Sequence, residues 1–492
     1  MRLGKLILCV AGILGVHSLA RAAEDCPPNI VLVVADDLGW ADLSCYAPSL
    51  WQTPNLDRLA QQGIRFTQAY AASCVCSPTR AALMTGRHPA RLHLTTFLPG
   101  RKDFPDQKLL QPSIRQQLPP EEITLAEVLK KRGYVCGHFG KWHLGEGPAV
   151  NPLAQGFDVY KGSAGRYFNF KGPNLVARSE KDYLTDRLTE EAERFLEENR
   201  SRPFFLYLPH FAVHIPLQAK EELLALYQKK AESAPAELLR KNPYYAAVLH
   251  SLDESVGRIL QKLDDLKLTE NTVVIFTSDN GGLSVKEGPN TPATSNAPLR
   301  AGKGHLYEGG IRVPLLVRWP GVVKPGRVCS TPVRTEDLFL TLAEIAGAEL
   351  PKDRELDGVS LLSLLRGQSE SLPRECLYWH FPHYSNQGGR PSGAIRCGDW
   401  KLIEFFEDGR LELYNLRTDE AEQHNVADKH PQLRDKLHRQ LVEWRQRLQV
   451  QMPPTPPRQV TAPRHCRSPL FDTPNQVLLP GRLLRASNPC MA

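Results

Sequence analysis

NIVLVVADD (residues 29–37) and NTVVIFTSDNGG (residues 271–282) are the two stretches of this 492-residue sequence that decide its fold. Each combines a short, uninterrupted apolar run with polar residues immediately after it. Runs of this length and composition are typical of strands that are buried on both faces of a sheet. The predicted strands are residues 30–34, 204–208, 273–276 and 313–317.

Segments with helical periodicity lie between these strands. The clearest starts at Pro243 and repeats apolar residues at the spacing of one helix face. That face consists of Tyr245, Leu249, Leu252, Val256, Ile259 and Leu263. Buried strands that alternate with amphipathic helices predict an α/β fold in which helices cover both faces of the sheet.

Length and composition predict a large domain, residues 23–371, and a smaller one, residues 372–450. With 41% hydrophobic residues, the chain can bury a sizeable core. In the smaller unit, CGDWKLIEFF and GRLELYNL are predicted to form a hairpin, followed by a helix over residues 432–447. Residues 451–492 form a Pro-rich, basic tail without a periodic pattern. Residues 283–302 are a long polar loop, which is typical of a segment that borders a site.

The N-terminus has the pattern of a secretory signal peptide. A basic start is followed by an apolar run over residues 6–16 and an Ala20-Arg21-Ala22 step, so residues 1–22 are predicted to be removed. The alternative, a membrane anchor, requires roughly 20 apolar residues. The sequence therefore predicts a protein without a membrane span that is secreted or periplasmic, or lysosomal in a eukaryote.

The formal net charge of +7 comes from the two ends of the chain. Residues 1–22 carry three basic side chains, residues 451–492 carry five arginines and one aspartate, and the body between them is formally neutral. A neutral body lacks the positive surface that binds a phosphate backbone. Nucleic-acid binding is therefore excluded as the function.

The polar residues that follow two of the predicted strands form a candidate metal site. Asp36 and Asp37 follow one strand, and Asp279 and Asn280 follow another. In open α/β sheets ligands gather at the carboxyl ends of the strands, so both pairs are expected at the same edge. Three carboxylates and an amide suit Ca²⁺ or Mg²⁺ rather than zinc. Either pair alone is also typical of helix caps and turns, and only the two together favour a metal.

Cys76 lies in a third element, SCVCSPTRAALMTGRHPAR (residues 73–91). Pro78 is at a position typical of the first turn of a helix, which puts Cys76 just before the helix N-terminus, a natural anion site. The alternative is a cysteine that packs beneath the start of the helix.

Several sequence blocks resemble those of the type I sulfatases, which are arylsulfatase-like members of the alkaline phosphatase superfamily. The first is CSPTRAALMTGR from Cys76, whose C-x-P-x-R core is the sequence that formylglycine-generating enzymes recognise. The others follow in the family's order: GKWHLG from Gly140, HFAVHIP from His210, SDNGG from Ser278 and GKGHLYEGGIRVP from Gly302. The similarity extends from about residue 29 through CGDWKLI. It implies a large mixed, mostly parallel sheet with helices on both faces, followed by a smaller C-terminal α+β subdomain.

The resemblance also implies roles for individual residues. Cys76 matches the residue that is oxidised to formylglycine and that also ligates a single calcium ion. The other calcium ligands are Asp36, Asp37, Asp279 and Asn280. The cations that hold the aldehyde hydrate and the sulfate are Arg80 and Lys141, the base is His143, and the groups near the leaving oxygen are His214 and Lys303. The family also has a serine or threonine near the sulfate, for which Ser163 is the candidate.

A formylglycine hydrate avoids a difficulty that a serine nucleophile would meet. A serine would form a sulfate ester that must be hydrolysed anew, whereas the hydrate carries two hydroxyls on one carbon. One hydroxyl attacks sulfur, and the other later expels the sulfate. His214 or Lys303 would protonate the leaving alkoxide, and His143 would take the proton that triggers release.

The expected substrate is a sulfated carbohydrate or another sulfate ester, because the chain is predicted to be secreted. Candidate substrate contacts are His210, His383, Asn386, Gln387 and Arg390. The last four lie in the turn-rich stretch HFPHYSNQGGRPSGAIR, which can equally be a solvated loop. Two alternative functions stay open: a phosphonate or phosphate ester hydrolase of the same superfamily, and a non-catalytic glycan-binding relative.

Overall fold

The computed structural model describes residues 27–456 of the chain. The predicted signal peptide and the part of the predicted tail after residue 456 lie outside the described residues. The strands are β1 (Asn29–Ala35), β2 (Ile64–Tyr70), β3 (Val135–Phe139), β4 (Val159–Lys161), β5 (Lys171–Gly172), β6 (Leu175–Val176), β7 (Phe204–Pro209), β8 (Thr272–Ser278), β9 (Arg312–Arg318), β10 (Arg327–Cys329), β11 (Val333–Arg334), β12 (Cys376–Phe381), β13 (Ser392–Cys397), β14 (Trp400–Phe405) and β15 (Leu411–Asn415).

The helices in the same part of the chain differ widely in length. They are α1 (Pro54–Gln61), α2 (Cys76–Thr85), α3 (Pro89–Leu92), α4 (Leu125–Lys130), α5 (Leu184–Glu198), α6 (Glu221–Glu232), α7 (Pro243–Asp265), α8 (Glu308–Ile311), α9 (Thr335–Ile345), α10 (Leu362–Leu365) and α11 (Pro431–Leu448). A short 3₁₀ helix, Thr269–Asn271, precedes β8. No helix within residues 27–456 combines the length and apolar character needed to cross a bilayer.

A nine-stranded mixed sheet forms the centre of the described chain. Its strand order is β10-β2-β9-β8-β1-β7-β3-β4, with β11 also paired to β2. Strand β9 runs antiparallel to β2 and β8, and the other pairings are parallel. The predicted large, mostly parallel sheet is confirmed, and the four predicted strands are β1, β7, β8 and β9.

Helices cover both faces of this sheet, as predicted. Alternate side chains of β1 show the two layers: Ile30, Leu32 and Val34 belong to one core with residues of α2, α4 and α9. Val31, Val33 and Ala35 belong to another core with residues of α1, α5 and α7. The alternation follows from the period of two in a strand. The predicted apolar face of α7 is buried along its whole length.

The C-terminal part of the described chain contains a second, four-stranded antiparallel sheet in the order β12-β13-β14-β15. The predicted hairpin is β14 and β15, and the predicted helix is α11, which packs on β13 and β14. Strands β12 and β13, which a disulfide between Cys376 and Cys397 joins, were not predicted. Part of the stretch interpreted as turn-rich is therefore strand. The polar loop over residues 283–302 contains no helix or strand, as predicted.

Candidate active site

The register of the central strands brings the two predicted acidic pairs together. Ala35 is the partner of Ser278 across β1 and β8, so the residues that follow leave the sheet at the same level. The amide Nδ2 of Asn280 donates to Asp37 Oδ1 at 2.8 Å. The backbone N–H of Asp37 donates to Asp279 Oδ1 at 3.2 Å. The sequence interpretation of these residues as neighbours is correct.

Lys141 reaches the same edge from β3, two strands away. Its backbone N–H donates to the carbonyl of Pro209 at 2.8 Å, and its Nζ lies 2.6 Å from Asp36 Oδ2. Gly140 makes this approach possible, because its φ is +136° and a Cβ there would lie 2.0 Å from the Pro209 carbonyl oxygen. Only glycine fits such a position.

Cys76 is the first residue of α2, one position further into the helix than predicted. Arg80 lies one helical turn later, on the same face. Its Nε donates to Asp279 Oδ2 at 2.9 Å, and its NH1 donates to the carbonyl of Lys141 at 3.1 Å. The helix therefore delivers both the candidate nucleophile and a cation to the edge of the sheet.

Lys303 comes from the segment after the long polar loop. Its Nζ lies 2.6 Å from Asp37 Oδ2 and 3.0 Å from His214 Nε2. With it, each carboxylate of the centre has a nearest cation, and Arg80 NH2 also lies 3.6 Å from Asp36 Oδ1. The pairs are Asp36 with Lys141, Asp37 with Lys303, and Asp279 with Arg80, and all six side chains are buried.

The donor set fits a hard divalent cation. The side-chain oxygens Asp36 Oδ1 and Asn280 Oδ1 are buried and have no hydrogen-bond partner among the described residues. Buried oxygens of this kind are costly unless something else binds them. Asp36, Asp37, Cys76 and His214 each offer a ligand atom within 4.8 Å of the others. The Cys76 sulfur and the His214 nitrogen of that group are not typical calcium donors, so the fit to Ca²⁺ rests on the oxygens of Asp36, Asp37, Asp279 and Asn280.

Burial and charge pairs shift the pKa values of the centre in opposite directions. Burial alone would raise the pKa of Asp36, but Lys141 and the other nearby cations bring it below its usual range. Burial and the charge of Asp36 raise the pKa of Asp279 to about 7. Burial raises the pKa of the Cys76 thiol to about 12, against the effect of the lysines. Unmodified Cys76 is therefore a thiol, not a thiolate, at neutral pH.

The hydrogen bonds of His143 define its tautomer. The Nε2–H donates to the carbonyl of Leu98 at 2.9 Å. Nδ1 therefore carries a free lone pair, and it has no hydrogen-bond partner within residues 27–456. Burial and the charge of Lys141 lower the pKa of His143 to about 3, so the ring is neutral. A neutral imidazole with a free nitrogen can accept a proton.

Leu98 is a contributor that sequence reasoning missed. It lies in residues 93–124, a segment without helix or strand, and its N–H donates to Ser77 Oγ at 3.1 Å beside Cys76. Its carbonyl then holds His143. Both contacts use the backbone of Leu98, so the side-chain identity gave no signal for them.

Ser163 follows β4, the strand next to β3. Its hydroxyl is buried without a described partner, and Gly140, just before Lys141, donates to the carbonyl of Lys161 at 2.9 Å. Phe139 and Lys161 are partners across β3 and β4, so Lys141 and Ser163 each follow two residues after the same level of the sheet. A contact of Ser163 with the sulfate stays a prediction.

Two of the predicted substrate contacts are wrong. His210 is fully buried and its Nε2 lies 3.0 Å from Ser255 Oγ of α7, so it belongs to the core. His383 is buried as well, with its ring nitrogens 2.8 Å from Thr95 Oγ1 and 3.0 Å from Gln111 Oε1. Both of its nitrogens are used inside the protein, which leaves neither for a sugar.

The other candidate contacts lie in a loop beside Lys303. A Cβ on Gly304 would lie 2.4 Å from Ser385 Oγ and 2.6 Å from Gln387 Oε1, so the loop packs directly on that glycine. Gln387 is nearly buried and donates to Glu287 at 2.5 Å. Asn386 and Arg390 are exposed, and Arg390 pairs with Glu407. Substrate contact by these three residues stays a prediction.

A family model described as Sulfatase matches residues 28–348 of the chain. The chain belongs to the sulfatase family. A second model, described as N-sulphoglucosamine sulphohydrolase, C-terminal, matches residues 301–447 of this sulfatase. The two matches together include the main sheet and the four-stranded sheet.

Known relatives agree with this assignment. The sulfatase is 37% identical over 394 residues to N-acetylgalactosamine-6-sulfatase of Canis lupus familiaris, with 75% of this chain and 70% of the relative covered. It is 34% identical over 500 residues to a protein named Sulfatase of Formosa agariphila, with 85% and 88% covered. The solved structure of Ps i-CgsB in complex with k-i-k-neocarrahexaose matches at 30% identity with a TM-score of 0.72, with 85% of this chain and 92% of that chain covered. The chain is a sulfuric ester hydrolase with the alkaline phosphatase-like fold.

Proposed function

We propose that this sulfatase hydrolyses sulfate esters of a carbohydrate, with formylglycine formed from Cys76 as nucleophile and one calcium ion as cofactor. The observation that carries the proposal is the group of three buried cation–carboxylate pairs around the start of α2. A sulfate ester is an anion, and its reaction builds further negative charge on the transferring group. Fixed positive groups in a dry site stabilise that charge most effectively.

The state of Cys76 supports its conversion. A buried thiol with a pKa near 12 is almost entirely protonated at neutral pH and is a weak nucleophile. The residue is nevertheless placed at a helix N-terminus, where an anionic group is favoured. A formylglycine-generating enzyme is the maturation partner that the C-x-P-x-R core implies.

The residues divide the work of the reaction between them. Calcium bound by the four strand-end residues and the modified Cys76 would supply positive charge next to the sulfate. Arg80 and Lys141 bind and orient the sulfate oxygens. His143, held by Leu98, accepts a proton through its free Nδ1. Lys303 and His214 form the hydrogen-bonded pair that gives a proton to the leaving alcohol.

Several observations support a sulfated carbohydrate outside the cytosol as the substrate. One relative is named for N-acetylgalactosamine 6-sulfate chemistry, and one structural neighbour was solved with a neocarrahexaose. The disulfide between Cys376 and Cys397 is typical of an oxidising compartment, as is the signal-peptide pattern of residues 1–22. We therefore expect a secreted or periplasmic enzyme, or a lysosomal one in a eukaryote.

The test uses the protein produced together with a formylglycine-generating enzyme. Mass spectrometry of the peptide that contains Cys76 should show formylglycine, and activity should rise with its fraction. A panel of defined sulfated saccharides, nitrophenyl sulfate and the matching phosphate and phosphonate esters then separates the alternatives. Cys76→Ala is the control and should be inactive. Full activity of protein whose Cys76 is wholly a thiol, or preference for the phosphonate, would overturn the proposal.

A further inference from the structure

Two sequence blocks of the family resemblance, GKGHLYEGG and CGDWKLI, contribute buried charges that have no part in the chemistry above. We propose that Lys401, on β14 of the four-stranded sheet, is a positioning residue for the reaction centre. Lys401 holds Glu308 and Glu422 in place. Through them it fixes the position of the segment that carries Lys303. The inference rests on the proposed function, since it takes Lys303 to be part of that centre.

The three residues form a fully buried network, and Arg312 NH1 lies a further 3.7 Å from Glu308 Oε2. Lys401 Nζ lies 2.9 Å from Glu308 Oε1 and 2.9 Å from Glu422 Oε1, and all three side chains have no exposed surface. The other oxygen of Glu422 accepts the backbone N–H of Glu308 at 2.6 Å. The other oxygen of Glu308 accepts the hydroxyl of Tyr70 at 2.6 Å. Each carboxylate thus has a fixed partner at both oxygens.

The backbone of Glu422 supports a specific purpose for its side chain. Its φ is +52°, a left-handed conformation that is unfavourable for a residue with a Cβ. Such conformations persist where the surrounding contacts require them. Here the requirement is a carboxylate that contacts both Lys401 and the backbone N–H of Glu308.

Glu308 is the first residue of α8, and that single turn supports two parts of the reaction centre. The carbonyl of Gly310 accepts the N–H of Gly281, next to Asn280, at 3.0 Å. The carbonyl of Ile311 accepts the N–H of Ala71, on the approach to Cys76, at 2.7 Å. Through these two hydrogen bonds, the network that fixes Glu308 also supports the segments that carry Asn280 and Cys76.

Lys303 lies just before this turn, and the packing between them leaves no free space. A Cβ on Gly310 would lie 2.0 Å from the carbonyl oxygen of His305, and a Cβ on Gly281 would lie 1.9 Å from that of Gly309. Backbones packed this closely move together. A displacement of α8 is therefore transmitted both to Lys303 and to the Asn280 corner.

Removal of the Lys401 charge leaves two buried carboxylates without their shared cation, a change that is strongly unfavourable. We expect the carboxylates to separate or to take up a proton, and α8 to shift with Glu308. Misplacement of catalytic groups by about 1 Å can cost about 100-fold in rate. Lys401→Met should therefore lower kcat for a sugar sulfate by about 10- to 100-fold and change KM little.

The decisive experiment is a double-mutant cycle between Lys401→Met and Lys303→Ala in the mature enzyme. If Lys401 acts through the position of Lys303, the double variant should lose little more activity than Lys303→Ala alone. Arg445→Met is the matched control, because Arg445 pairs with Glu404, also on β14, at 2.6 Å and contacts none of the segments above. Its kcat should stay within about twofold of the parent.

Each outcome has a defined meaning, provided that circular dichroism shows the variants folded at the assay temperature. Losses that multiply in the double variant, or an unchanged kcat for Lys401→Met, would overturn the positioning role. If Lys401→Met does not fold, Glu422→Gln replaces it, because the amide keeps an acceptor for Glu308 and removes one charge beside Lys401. Multiplying losses there would overturn the role as well. An active Cys76→Ala enzyme would instead refute the proposed function itself.

Discussion

Separate Lys303→Ala and His214→Ala variants test which side chain gives a proton to the leaving alcohol. Lys303 Nζ lies 3.0 Å from His214 Nε2 and 2.6 Å from Asp37 Oδ2. The Nδ1–H of His214 donates to the carbonyl of Ile215 at 2.6 Å, so its Nε2 accepts from the lysine. Lys303 is therefore the member of the pair that carries a transferable proton.

The charges of the pair lead to the same assignment. Burial and the neighbouring charge of Lys303 lower the pKa of His214, which keeps its ring neutral at neutral pH. Burial alone would lower the pKa of Lys303, but Asp37 raises it overall and keeps the ammonium group protonated. A leaving sugar alkoxide is a strong base and can take a proton from such a donor.

The expected losses differ between substrates. Lys303→Ala should lower kcat/KM for a sugar sulfate by about 10²- to 10⁴-fold, or about 3 to 5 kcal/mol of transition-state stabilisation. Nitrophenyl sulfate should lose far less, because nitrophenolate leaves without a proton. His214→Ala removes one of the two fixed partners of Lys303 Nζ and should cost about tenfold on the sugar sulfate through misplacement.

The assay compares kcat/KM for both substrates, since this ratio reports transition-state stabilisation relative to free enzyme and substrate. Lys141→Ala is the control, because its proposed partner is the sulfate that both substrates share, and its losses should be equal. Equal losses for Lys303→Ala would refute the reasoning and make Lys303 a sulfate ligand. A selective loss in His214→Ala alone would make the histidine the acid.

Three further predictions concern the metal site and a buried acid. Asp279→Ala removes one carboxylate, so calorimetric calcium affinity and activity should both fall; unchanged binding would contradict the ligand assignment. Calcium should raise the unfolding temperature and a chelator should lower it, because the ion binds the folded state; a temperature insensitive to both argues against the site. Burial raises the pKa of Asp42 from 3.8 to about 6, against hydrogen bonds from Thr294 and Tyr245. Between about pH 4 and pH 6 the native state therefore binds more protons than the unfolded state. The free energy of unfolding should fall by about 3 kcal/mol as the pH rises through this range. Asp42→Asn should lack this fall when the free energy of unfolding is measured with denaturant at several pH values. If the difference in free energy of unfolding between the parent and Asp42→Asn does not vary with pH, the pKa of Asp42 is ordinary.

Local patterns were sufficient to predict the main architecture. A strand buried on both faces is apolar throughout, and an amphipathic helix repeats every 3.6 residues, so β1, β8 and α7 could be identified from short windows. The acidic pairs could be placed together because parallel strands end at a common edge. These features depend on residues close in sequence or on a general property of sheets.

Long-range partners could not be predicted in the same way. A histidine in a motif has the same local sequence whether it faces a substrate or a core partner, and His210 is buried against Ser255 from a helix 45 positions later. His383 is likewise fixed by Thr95, 288 positions earlier. The strands β12 and β13 were missed because their connection contains the Gly, Pro, Asn and Ser residues that are typical of turns. Only the tertiary fold determines these contacts.

The charge balance of the reaction centre explains why its motifs act as one unit. With all three carboxylates ionised, as calcium binding requires, three carboxylates and three cations are together neutral, and the nearest pairs are Asp36 with Lys141, Asp37 with Lys303, and Asp279 with Arg80. A divalent ion on the carboxylates would give the centre the net charge of that ion, which favours an anionic sulfate ester. The same ion would weaken the ion pairs between the carboxylates and the lysines. The lysines would then be available to bind the sulfate ester. Loss of one carboxylate should therefore weaken both ion and ester binding, and its effect should be coupled to that of its paired cation rather than additive.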